Sequence, residues 1–316
     1  MTQSLETLTR RTDSMQGIRS IVHTMKTLSV INAAPYEHAA EAIEAYHATI
    51  LDGLHALLHQ SGPLDAEAAA ATPVLIVFGS DHGLCGSYNQ ALAAHVAGQP
   101  GNAAAKTTVL CVGAQMADAL RDEGLEPRHI FFPPASVDGI GRLANLLTRH
   151  LDTLRLDPGG RRDIVVSVAC FARDRAKGQR PEVTALLPPD PKLVRDLQAR
   201  PWVSRSLPSF SMPPGDLLRA LIRAHLFAGL FRAAAEALVT ENAARLAQMQ
   251  QAEQSIDDRL EALTAETRSV RQSEITTELL DVIIGFEALK KSRRPTPDRA
   301  GADGAEAHSR PGLLPE

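Results

Sequence analysis

Cysteine is scarce. Only Cys85, Cys111 and Cys170 occur in 316 residues, each within an apolar or glycine-flanked run and none at metal-ligand spacing. That excludes a disulfide framework or a cysteine-built zinc site and fits reduced thiols in a cytoplasmic protein. A dominant charge is missing too. With 22% charged residues and a net charge of -4 there is no global basic field, so nucleic acid is not indicated as a partner. No apolar run reaches the roughly 18 to 20 residues that a membrane helix needs. The opening Met1-Thr2-Gln3-Ser4-Leu5-Glu6 lacks the basic start and apolar core of a signal peptide. The expectation is a soluble chain, long enough for one good core plus an extended element, or for two domains.

Proline is absent where its absence counts most. From Leu217 to Leu289 there is none, and the only glycines are Gly229 and Gly285, so Asp216 to Leu289 reads as one helix of about 110 Å. That is longer than a domain of this chain is wide, so most of it must leave the globule. Leu217, Leu218, Leu221, Ile222, Leu226, Phe227, Leu230 and Phe231 form a broad face suited to packing on a domain. From Leu246 the apolar stripe thins to Leu246, Met249, Ile256, Leu260, Leu263 and Val270, with Glu253 and Thr267 as polar interruptions of a coiled-coil seam. Beyond Arg271 the helix is apolar almost all round, through Ile275, Leu279, Leu280, Val282, Ile283, Ile284, Phe286 and Leu289. Such a tip needs a sleeve of protein that this chain does not contain.

Leu5 to about His59 reads as the partner helix, with Leu8, Met15, Ile18, Ile21, Val22, Met25 and Leu28 on one face and a kink expected near Ile31, four residues before Pro35. Gly62 to Thr72 reads as a linker. The grammar then changes to short, branched, nearly continuous apolar runs at Pro73–Phe78, Thr107–Val112, His129–Phe132 and Asp163–Phe171, with helices at Tyr88–Val96, Ala114–Asp122 and Val137–Leu154 between them. Alternation of this kind implies an α/β fold with a doubly wound sheet covered on both faces. Pro181–Leu187 adds an edge strand, and proline-rich Pro188–Pro214 reads as an extended return to the long helix. After Leu289 the chain turns rich in proline, glycine and charge without an apolar period, and is read as a disordered tail.

The most tempting chemical motif is Gly79-Ser80-Asp81-His82-Gly83-Leu84-Cys85-Gly86-Ser87-Tyr88-Asn89, between the first strand and a helix, where α/β folds place phosphate loops. Its spacing matches neither the dinucleotide fingerprint nor the P-loop, and no Lys-Ser or Lys-Thr pair follows. Asp81, His82 and Cys85 could also be gathered into a catalytic cluster, but no second constellation of acids or histidines accompanies them. A glycine-built turn over a buried thiol is the plainer reading of both.

Four blocks together resemble one family: Thr24-Met25-Lys26; Gly79 to Gly86; Glu241-Asn242-Ala243-Ala244-Arg245-Leu246 with Met249-Gln250; and Arg271-Gln272 with Ile275-Thr276-Thr277-Glu278-Leu279. In order and separation they resemble the gamma subunit of F-type ATP synthase. Leu5 to Arg11, and Thr27 to Glu37 in place of the usual basic segment, look more like the alternate, sodium-type bacterial subgroup.

The resemblance implies a long antiparallel coiled coil of the two terminal helices plus a Rossmann-like doubly wound α/β domain. The implied boundaries are a first helix over 1–60, a foot over 73–190, an extended return over 191–215, a second helix over 216–289 and a tail over 290–316. It implies a rotor turning inside three alpha and three beta subunits and standing on epsilon and the membrane c-ring, at the cytoplasmic face of a bacterial inner membrane. No catalytic residue, cofactor or metal of its own is implied. Met25, Lys26, Arg245, Arg268, Arg271 and Gln272 are implied to meet the beta-subunit lobes. Ile275, Glu278, Leu279, Ile283, Phe286 and Leu289 are implied to form the bearing, and Gly83, Cys85, Gly86 and Asn89 the foot contact with epsilon and the c-ring. The alternatives are an α/β small-molecule-binding protein or enzyme with a helical dimerisation domain, and a coiled-coil scaffold for an unrelated partner.

Overall fold

The first helix, α1, spans Leu5–Ser61. Ser4 opens it, its hydroxyl accepting from the Thr7 amide at 3.4 Å and meeting the Thr7 hydroxyl at 2.9 Å, which satisfies one of the free donors at a helix start. The computed structural model describes residues 4–61, 71–99, 107–156, 163–174, 178–206 and 209–292. These form two compact units, one of residues 4–14 and 259–292 and the other of residues 15–258.

Pro35 lies inside α1 without ending it. Both Pro35 and Ile31, whose carbonyl loses its ladder donor, are exposed, so water can take the lost bond. The larger unit continues with β1 (Thr72–Phe78), α2 (Tyr88–Ala97), β2 (Thr108–Val112), α3 (Ala114–Asp122), β3 (His129–Phe131), α4 (Asp138–Arg155), β4 (Ile164–Asp174), β5 (Gly178–Leu187) and α5 (Pro191–Ala199). The last helix, α6, spans Pro214–Ser292 and runs through both units.

The strands form one sheet in the order β3-β2-β1-β4-β5, with β3, β2, β1 and β4 parallel and β5 antiparallel at the edge. The apolar runs are continuous because both faces are covered. Val74, Ile76 and Phe78 of β1 pack with α4, α6 and α1 on one side, through Leu147, Leu230 and Ala40 among others. Leu75 and Val77, pointing the other way, pack with Leu92 of α2 and Leu120 of α3.

The stretch expected as an extended return contains α5. Asp190 caps it, accepting the Lys192 amide at 2.8 Å, and Pro191 occupies the first turn, where its missing N–H costs nothing. Leu197 then packs with Leu54 and Leu58 of α1. The expected linker falls mostly outside the described residues, at 62–70, as does the expected tail at 293–316. Within the described part, α6 continues past Leu289 to Ser292.

The helix seam also differs from expectation. Ile18, Ile21 and Leu28 are 44%, 61% and 51% exposed, so they do not form the face that α1 turns toward α6. In the larger unit one buried series of α1 is Val22, Ser29, Tyr36, Ile43, Ile50 and Leu57, spaced by sevens; Leu8, buried in the smaller unit, has the same phase. In α6 the buried series is Ala228, Ala235, Asn242, Met249 and Ile256, also by sevens, with Leu263 in the same phase in the smaller unit. A strict seven-residue repeat keeps one seam facing a partner helix through a left-handed supercoil.

Candidate functional site

The pairing of α1 with α6 is set by charge as well as by the seam. Arg19 meets Asp257 at 2.5 Å, His23 and Lys26 share Glu253 at 3.1 and 2.5 Å, and Glu44 meets Arg232 at 2.9 Å. As one index rises the other falls, so the two helices are antiparallel in this unit. The polar interruption at Glu253 is therefore a binding point between helices, and hydrogen bonds from Lys26 and His23 hold its carboxyl below the usual range. On β4, Arg173 forks to Glu37 of α1 at 2.7 Å and to Glu236 of α6 at 2.9 Å, fastening both helices to the sheet.

The loop from Gly79 to Asn89 closes on itself and on α6. Ser80 and Asn89 are both buried. Asn89 accepts the Ser80 amide through Oδ1 at 3.0 Å and donates to the Ser80 hydroxyl through Nδ2 at 2.8 Å, and that hydroxyl donates to the His82 carbonyl at 2.9 Å. Asp81 Oδ1 accepts the Ala114 amide at 2.9 Å, occupying the start of α3. The Ser80 amide and hydroxyl and the Ala114 amide, groups a phosphate loop could present, are thus engaged within the chain. Leu84 and Gly86 take φ of 67° and 63°, and a Cβ on Gly86 would stand 2.9 Å from the Gln248 side chain of α6. Next to it, Tyr88 stacks on Phe171 and brings its hydroxyl to Thr240 Oγ1 at 2.9 Å and the Ala237 carbonyl at 3.2 Å. Burial raises the Tyr88 hydroxyl far above an ordinary phenol, so it stays protonated. One turn on, buried Glu241 is pushed up by desolvation and drawn back by Arg245, 2.5 Å away.

These contacts divide the residues singled out in the sequence. Cys85 and Asn89 are 4% exposed and packed inside the loop, so their side chains are not available as foot contacts; Gly86 is turned to Gln248, and Gly83 stands open with nothing near it. The proposed Asp81, His82 and Cys85 cluster does not assemble as a catalytic group: Asp81 caps α3, and the Cys85 thiol points to the His82 carbonyl at 3.8 Å. Among the described residues no group of three or more metal-ligating side chains is present. Lys26 and Arg245 spend their charge on Glu253 and Glu241 within the chain, and Met25 is half-buried. Arg268, Arg271 and Gln272 are exposed. In the smaller unit every residue from Arg271 to Lys290 is exposed, Glu278 included, with Ile275 at 51%, Leu279 at 59%, Ile283 at 55%, Phe286 at 71% and Leu289 at 67%.

The sequence reading missed Arg173 with its two glutamates, and the Tyr88 to Thr240 contact. No local pattern marks them, because their partners lie 63 to 152 residues away. The seven-residue repeat was the available signal for the seam.

A family model described as ATP synthase matches residues 4–289. The chain belongs to that family. Among curated relatives, the ATP synthase gamma chain of Nitratidesulfovibrio vulgaris strain Miyazaki F is 29% identical over 292 residues, covering 87% of this chain and 96% of its own. That of Granulibacter bethesdensis is 29% identical over 302 residues, covering 90% and 99%. Among solved structures, a chain of Euglena gracilis mitochondrial ATP synthase, seen as OSCP/F1/c-ring in rotational state 3, shares the fold at a TM-score of 0.62 with 15% identity, covering 94% of this chain and 98% of that one. A second Euglena gracilis chain, from the rotor in rotational state 1, gives 0.59 at the same identity and covers 86% and 98%. No described helix is long and apolar enough to cross a membrane.

Proposed function

We propose that this chain is the gamma-type rotor of the central stalk of an F-type ATP synthase, one copy within three alpha and three beta subunits, seated on epsilon and the c-ring at the cytoplasmic face of a bacterial inner membrane. The observation that carries the proposal is the end of α6. Eight large apolar side chains between Ile275 and Leu289, all 51% to 71% exposed, stand on a helix that continues without a break from the α/β sheet layer. Water does not favour such a surface and a surrounding collar of protein does. ATP chemistry belongs to the surrounding subunits, while this chain transmits rotation as a body stiff enough to bias their conformations. The alternative of a nucleotide-binding α/β protein finds no support at the loop, whose Ser80 amide is held by Asn89. Membership of the alternate subgroup rests on Leu5 to Arg11 and Thr27 to Glu37; in that second stretch Leu28, Val30 and Ile31 offer an exposed apolar surface where a basic one is usual.

In the assembly, the lobe contacts fall to half-buried Met25 and to exposed Arg268, Arg271 and Gln272; the bearing falls to Ile275, Glu278, Leu279, Ile283, Phe286 and Leu289; and Gly83 presents the loop to the foot partners. Native mass measurement of the complex purified from its host tests the proposal. One copy per alpha-beta hexamer is expected, and a free homodimer would overturn it. With the complex in hand, Arg271→Ala combined with Gln272→Ala should lower ATP-driven ion pumping while assembly stays intact. Unchanged pumping would remove these two residues from the coupling surface.

A further inference from the structure

His47 of α1 and His225 of α6 face each other at 2.9 Å, Nε2 to Nδ1, with ring centroids 4.9 Å apart and planes tilted by 37°. Neither the ion pairs nor the loop uses them. His225 is 7% exposed. A neutral imidazole carries one hydrogen, so across this contact one nitrogen donates and the other accepts. The result is a neutral link between α1 and α6, flanked by Ile43, Ile50 and Ala228.

The pair borders a cavity of about 420 Å³, room for several waters. The charged groups facing it are already committed. Glu44 of α1 holds Arg232 of α6 at 2.9 Å, and Glu236 of α6 holds Arg173 of β4. Glu182 of β5 lies 3.6 Å from Arg180, and Asp190 caps α5. Cys170 of β4 is kept neutral by burial, its thiol pushed up to about 12. A proton arriving from the cavity therefore meets no free carboxylate. Rings that both carry two protons would confront each other donor to donor at hydrogen-bond distance.

We propose that His47 and His225 form an acid-sensitive clasp between α1 and α6, closed while a single proton lies between the two rings and open when each nitrogen carries one. The sign follows from burial. Desolvation lowers both imidazoles below the ordinary 6.5, His225 to about 4, with His47 also disfavouring charge on His225. The folded chain thus binds fewer protons than the unfolded one. The stability contributed is complete above about pH 6.5 and is lost as pH falls from there toward about 4. Opening would free the part of α1 around Ile43 to Gly53 from the part of α6 around Leu221 to Arg232, the stretch that the clasp spans.

Hydrogen–deuterium exchange on the full-length chain, corrected for the intrinsic pH dependence of exchange, gives the test. Between about pH 7.5 and about pH 5, protection in these two segments should fall on the order of tenfold relative to the β1 and β2 strands, the change expected when the open helices bind a proton roughly tenfold more tightly than the closed ones. His225→Gln, which keeps an acceptor and a donor but does not titrate, should abolish the relative change. Should that variant fail to fold, histidine nitrogen NMR of the wild type decides instead: His225 should be neutral at neutral pH, and should charge together with the loss of protection. Protection that is pH-independent in the wild type, or equally pH-dependent in the Gln variant, or a His225 that charges with the helices still closed, would overturn the clasp.

Discussion

Asn89 is the residue on which the loop after β1 closes. One amide side chain satisfies both the amide and the hydroxyl of Ser80, a residue with no exposed surface, so nothing else can replace either bond. Asn89→Leu should lower stability by about 1 to 3 kcal/mol, the range for stranding a buried polar partner, read as a shift in the urea midpoint at constant slope. Gly113 is as constrained for a different reason. Its φ is 106°, and a Cβ there would stand 2.4 Å from the Ser80 carbonyl oxygen, a backbone atom that cannot swing aside. Gly113→Ala should destabilise by at least about 1 to 3 kcal/mol, the cost of one residue held in a disfavoured backbone region, whereas Gly83→Ala, with open space and no positive φ, should be near neutral. At this scale the sequence is only partly legible. The glycine-rich loop announces a turn, but which glycine the turn needs depends on Gln248 and Ser80, whose approach no local spacing encodes.

Among elements, the sheet was the most legible, because burial on both faces leaves uninterrupted branched runs that turns bound clearly. The helices were harder. The length of α6 was plain from missing proline and glycine, yet the inward face of α1 was partly misread: Ile18, Ile21 and Leu28, expected on it, lie outward, while Ser29 occupies an inward position. Hydrophobicity marks every surface destined for burial, including burial by other chains, and so it blurs which partner a face is meant for. Helix α5 was hidden for the opposite reason, since the prolines around it read as extended chain although Pro191 is well placed as a helix start. Truncation separates the faces. Leu54→Ala, at 1% exposure against α5, should cost about 2 to 5 kcal/mol in the full-length chain. Ile21→Ala, 61% exposed, should stay within about 0.5 kcal/mol by the same urea titration, as expected of a surface site.

For the whole molecule, solubility and assembly oppose each other at the end of α6. The isolated chain should self-associate through Ile275 to Leu289, and replacing Ile283 and Phe286 with serine should suppress that association in sedimentation while weakening incorporation into the complex. Incorporation at wild-type levels would mean that this surface is not gripped by partners. The family, the fold and the rotor reading were all accessible from four short blocks of sequence. The blocks around Glu241 and Gly79 prove to be two sides of one contact, joined at Tyr88 and Thr240.

The sevenfold spacing of buried positions in both long helices has a further consequence, for length. An α-helix turns about 100° per residue, so an inserted pair of residues rotates everything beyond it by about 200° and carries Val22, Ser29 and Tyr36 off the seam, whereas seven residues return nearly to the starting angle. Growth of the paired helices is therefore quantised: matched insertions of seven, one after Val22 and one after Met249, preserve the phase of both series, and unmatched or intermediate lengths do not. A lever arm built in this way can be lengthened only in whole steps.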